Sequence, residues 1–130
     1  MKVFLACPKG MDDEMVEKLT VELTGMFTDV VFLPSHKEFE KHFAAIGSWD
    51  GWADHVAGGR DYLTRQDYYQ SVMCVSEDIG RSTAQIVERC LSRGKSVFMY
   101  TEDRKIKLVS AVDETDSENW TSGWKIIPAS

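Results

Sequence analysis

The chain has 130 residues and a formal charge of −6 at neutral pH. That length fits one domain, spanning 1–130, which can bury a core without disulfide or metal staples. The negative balance argues against a broad nucleic-acid surface or adhesion to an anionic membrane, so a small anionic ligand would have to be held by loop amides and one or two cations.

No apolar run approaches the length needed to cross a bilayer. The opening run, residues 3–7, is too short for the apolar core of a secretory signal, so a cytoplasmic location and no membrane partner are expected. Cys7, Cys74 and Cys90 fall in apolar contexts, odd in number and without CxxC spacing. They read as reduced thiols packed as small hydrophobes. His36, His42 and His55 show no ligand spacing, so no metal is expected; His36 and His42 read as surface residues.

In chain order, residues 2–6 read as a short buried strand ending at Pro8-Lys9-Gly10. Asp12, Asp13 and Glu14 then open a helix, where the dipole favours negative charge. Met15, Val16, Leu19, Leu23, Met26 and Phe27 follow at helical spacing. Residues 29–34 form a second strand stopped by proline. Ser35 with Glu38 fits a capping box, Phe39, Phe43 and Ile46 carry the stripe of a second helix, and Gly47 ends it. Residues 47–61 are expected to form a long irregular loop with a helical turn around 53–57, and 61–67 a short helix. A third strand over 68–75, a helix over 82–93 and a strand over 96–100 follow. "TEDRK" is a tight turn, 106–112 a further strand, "DETDSEN" an acidic loop, and "GWKIIP" a last edge strand. Strands alternating with helices predict an α/β fold: a parallel sheet of about five strands with helices on both faces.

In such sheets ligands bind beyond the C-terminal ends of the strands. "CPKGM", residues 7–11, suits a turn whose amides face a ligand, with Pro8 and Gly10 shaping it. Lys9 is placed either to neutralise a phosphate or to sit in solvent. "EDIGRSTA", residues 77–84, sets Gly80, Ser82 and Thr83 at a helix N-terminus, where amides bind anions and hydroxyls cap or donate. It is neither a P-loop nor a dinucleotide fingerprint. Asp50, Asp54, His55, Arg60 and Asp61 cluster in the long loop, which suits acid–base work or a loop that hydrogen-bonds itself. Trp49, Trp52 and Tyr62 suit stacking on a base or anchoring that loop. Trp120 and Trp124 are expected to cover a sheet edge or helix end.

"MKVFLACPKG", "RQDYYQSVMCV" and "STAQIVERCLSRGKSVFMY" together resemble the nucleoside 2-deoxyribosyltransferase-like family, which includes nucleotide N-glycosidases. The resemblance covers most of residues 2–100 and is most specific over 82–100. It implies a Rossmann-like or flavodoxin-like sheet, a homo-oligomer whose neighbour completes the site, and no cofactor. It also implies cleavage or exchange of a nucleoside or nucleotide N-glycosidic bond by a carboxylate nucleophile at the anomeric carbon. When Gly94-Lys95 is aligned with the family pattern, the nucleophile position falls on Ile86. Gln85 and Glu88 flank it, turned by roughly 100° and 200° about the helix.

Three functions follow as expectations. The first is an N-glycosidase or deoxyribosyltransferase, with Glu88 or Asp61 as the carboxylate and Pro8, Gly10, Gly80, Ser82, Thr83, Gln85 and Trp52 binding substrate. The second is a nucleotide binder on the same fold without catalysis. The third is a protein-interaction module anchored by the tryptophan loop.

Overall fold

The computed structural model describes residues 1–58, 69–114 and 123–129. The chain order is β1 (Lys2–Ala6), α1 (Asp13–Met26), β2 (Val31–Pro34), α2 (Ser35–Ile46), α3 (Trp49–Val56), β3 (Ser71–Cys74), β4 (Asp78–Ile79), α4 (Arg81–Ser92), β5 (Val97–Tyr100), β6 (Ile106–Glu114) and β7 (Trp124–Pro128). The fold is α/β, as the alternating pattern predicts.

The sheet departs from that prediction. Among the described residues it has seven strands, ordered β2-β1-β3-β5-β6-β7-β4. Only β2, β1, β3 and β5 are mutually parallel; β6 pairs antiparallel with β5, β7 with β6, and β4 with β7. The reversal at β6 follows from the short 101–105 turn: the Thr101 amide donates to the Lys105 carbonyl at 2.9 Å. Such a turn can only return the chain antiparallel, whereas a parallel neighbour needs a crossover. Residues 124–128 are therefore not an edge strand. They lie between β6 and β4, and β4 closes the sheet on that side.

Local chemistry explains the helices. Asp12 Oδ1 accepts from the Met15 amide at 2.8 Å and caps α1, with Asp13 and Glu14 in the first turn. Gly47 ends α2 with φ of 78°, its amide donating to the Phe43 carbonyl. The expected capping box at Ser35 does not form. Proline 34 occupies the cap position, Ser35 is already helical, and its Oγ accepts from the Cys7 amide at 3.1 Å. Glu38 is drawn inward instead.

The largest correction concerns 47–61. Where a loop with one helical turn around 53–57 is expected, residues 49–56 form a helix. Ser48 Oγ accepts from the Gly51 amide at 3.0 Å and caps it. Trp52, Ala53 and Val56 turn into the core. Residues 59–61, and the short helix expected over 61–67, lie outside the described residues.

Two clusters divide the core. Val3, Leu5, Phe32, Met73 and Tyr100 meet Leu23 of α1 on one face of the sheet. Phe4, Ala6, Val72, Cys74, Val97 and Met99 meet α3 and α4 on the other, joined by Val109 and Ile126 from the antiparallel strands. β1, β3 and β5 are covered on both faces, which is why they read as continuous apolar runs.

Candidate functional site

β1 and β3 lie side by side and parallel, with Ala6 opposite Cys74. From β1 the chain leads to α1 on one face; from β3 it leads to α4 on the other. The strand ends thus diverge at a topological switch point, where open α/β sheets bind ligands. The chain leaves the gap through residues 7–12 and 75–77, and the start of α2 stands beside it through the bond from the Cys7 amide to Ser35.

The residues 7–11 segment is a tight turn, closed by the Met11 amide donating to the Pro8 carbonyl at 3.0 Å. Pro8 is half-buried, while Lys9 and Gly10 are exposed. A Cβ added at Gly10 would meet nothing within 4 Å, and its φ is not positive. Glycine is therefore not demanded there by strain.

On the β3 side, part of the loop expected to present its amides is committed elsewhere. Asp78 and Ile79 pair with Lys125 and Trp124, and the Ile126 amide donates to the Glu77 carbonyl at 2.9 Å. Gly80 is the N-cap residue of α4 and offers no side-chain cap. Ser82 lies inside the helix and exposed rather than at the cap, and Thr83 and Gln85 are half-buried. The cap position of α4 thus supplies no side-chain acceptor to the first turn.

The candidate carboxylates separate sharply. Ile86 is 3% exposed and packs in the core with Val87 and Cys90, whereas Glu88 lies on the exposed side of α4. Asp61 lies outside the described residues, as do Arg60, Tyr62 and Trp120. Trp52 is not a stacking platform: it is 4% exposed, edge-on to Phe4 at 6.0 Å and to Phe39 at 5.6 Å. Trp49 is exposed and stacks on Phe39, and Trp124 is half-buried against the core.

Asp50 and Asp54 are tied to α4 rather than placed for acid–base work. Arg89 reaches Asp50 at 2.9 Å and Asp54 at 2.7 Å, and Arg93 reaches Asp54 at 2.6 Å. Partial burial raises the Asp54 pKa, but hydrogen bonds and charge from Arg93 and Arg89 outweigh it and hold the carboxyl below its usual value.

A buried polar cluster went unnoticed in the sequence. Glu38 is 4% exposed and accepts from the Tyr69 hydroxyl; its other oxygen lies 3.5 Å from Lys41. His55 is also buried, its ring 5.2 Å from His42 and 5.8 Å from Tyr69. His42 and His36 are half-buried rather than surface residues. The signal available was Glu38 on the same helix face as His42, one turn apart, but nothing linked it to Tyr69.

Among the described residues no group of three His, Cys, Asp or Glu side chains is placed to hold a metal ion, and no helix is long and apolar enough to cross a membrane. No family model, curated protein or solved structure matches the chain.

Proposed function

We propose that the protein binds a nucleoside or nucleotide where β1 and β3 end, on a Rossmann-like or flavodoxin-like scaffold, and does not cleave it through α4. The parallel order β2-β1-β3-β5 supports the scaffold reading, because it matches the first four places of the flavodoxin-like order. The observation that carries the function is the division of roles along α4. Its first turn opens from Gly80 without a side-chain cap and carries the Ser82 and Thr83 hydroxyls, while its one carboxylate, Glu88, is turned to solvent beyond a buried Ile86. Amides and hydroxyls suffice to hold a phosphate or sugar. Attack at an anomeric carbon needs a carboxylate within reach.

The test is a thermal-shift screen with nucleosides and 5′-nucleotides, run beside chromatography for free base. A ligand at about a hundred times its Kd adds about 2.7 kcal/mol of stability. Stabilisation without base release is expected. Release of base restores the glycosidase or transferase reading, with Asp61 then the first residue to replace. No stabilisation by any member of the panel overturns nucleotide binding.

A further inference from the structure

The seam between β4 and β7 is the shortest pairing in the sheet: Asp78 with Lys125 and Ile79 with Trp124, extended by the bond from the Ile126 amide to Glu77. At β4, Glu77 and Asp78 are exposed and only Ile79 turns inward, to the core cluster that Ile126 of β7 also joins. On its other edge β7 is paired with β6 from Trp124 to Pro128. Opening free energies in a folded protein are lowest where few buried contacts and exposed hydrogen bonds coincide. The same seam holds the segment that leads directly from β3 into α4.

We propose that β4 is a detachable strap: it parts from β7 while β7 stays on β6, and its release frees residues 76–80 to close on a ligand at the end of β3. The ligand half of this proposal rests on the nucleotide-binding reading above. With the strap shut, the Glu77 carbonyl and the backbone of Ile79 face the C-terminal strand, while the Asp78 amide donates to Ser76 Oγ at 3.3 Å. A ligand that recruits this backbone must draw on the open state, so strap and site are thermodynamically linked.

The first experiment is residue-resolved amide exchange on the full chain without ligand. Neighbouring amides on a strand face opposite edges, so Ile126 reports the β4 seam and Ile127 the β6 seam. Exchange at Ile126 at least about tenfold faster than at Ile127, in the absence of denaturant, is expected for local opening. Equal rates overturn the strap.

The second experiment pins it. Asp78 and Lys125 are exposed and directly opposite. They form a non-hydrogen-bonded pair, whose close spacing suits a disulfide. The variant Asp78→Cys/Lys125→Cys is titrated with AMP and the other 5′-nucleotides, oxidised and then reduced. Affinity at least about tenfold weaker in the oxidised form supports the linkage, and equal affinity overturns it. If neither the wild type nor the reduced variant binds any nucleotide, the binding reading falls and the linkage with it, while amide exchange still decides the strap.

Discussion

The Tyr69 hydroxyl donates to Glu38 Oε1 at 2.5 Å, across 31 residues of chain, and joins α2 to the segment entering β3. Both residues are buried, so each depends on the other for solvation. Lys95 adds a second tie, its Nζ donating to the Tyr69 carbonyl at 2.9 Å. Tyr69→Phe leaves the buried Glu38 oxygen without that donor and is expected to cost about 1–3 kcal/mol. Urea denaturation measures this; an unchanged midpoint would show that the bond contributes nothing.

Ile86 and Glu88 are two residues apart and should respond in opposite ways. Ile86→Ala opens a cavity in the core and is expected to cost about 2–5 kcal/mol. Glu88→Ala, on the exposed side, should stay within about 0.5 kcal/mol of wild type. A large loss in the Glu88 variant would mean that the carboxylate has a structural role its exposure does not suggest.

Two glycines predict opposite signs for the same substitution. Gly47 holds φ of 78°, so Gly47→Ala should destabilise by about 1 kcal/mol even though a Cβ would meet nothing there. Gly25 lies within α1 at ordinary helical φ, also with open space around it. Gly25→Ala should stabilise by about 0.4–1 kcal/mol. Thermal unfolding of the two variants under one set of conditions distinguishes the cases, and shifts of equal sign would contradict the backbone assignment.

The Asp54 network carries a pH signature. Despite partial burial, Arg93 and Arg89 hold the folded-state pKa of Asp54 below its unfolded value. Its contribution to stability is therefore present above about pH 4 and lost as pH falls through the folded pKa. Asp54→Asn should melt lower than wild type at pH 7, and the gap should close in acid. A gap of constant size from pH 7 to about pH 2 would place the effect outside ionisation.

The thiols should be inert in the folded protein. Burial pushes Cys7 and Cys90 up to about 11, with Ser35 pulling back on Cys7 and Lys95 and Arg93 on Cys90; Cys74 is pushed to about 12 by burial and the neighbouring Cys90. Reaction follows the thiolate. At pH 8, a thiol reagent should label the native protein slowly and all three cysteines promptly in denaturant. Prompt labelling of a native cysteine would contradict its placement.

The readable parts share one property: their signals are local. β1, α1, β2 and the α4–β5 unit were evident because apolar period, first-turn acids and glycine stops act within a few residues of chain. Of the 49–56 helix only a turn around 53–57 is legible, because its glycine, tryptophan and aspartates resemble a loop. What stabilises it are Arg89 of α4, Arg93 just past its end, and the core that buries Trp52, all distant in sequence. Ser35 likewise has a capping-box spacing, yet its hydroxyl serves the Cys7 amide of another strand.

By itself the sequence determined the alternation of strand and helix, and with it the parallel core, because periodicity and capping are short-range effects. Only the tertiary structure decided that Glu88 faces solvent, that Trp52 and Glu38 are buried, and that the last strand runs back to grip the segment before α4. Burial and strand pairing depend on partners brought together by the whole sheet, and no local pattern encodes which partners those will be.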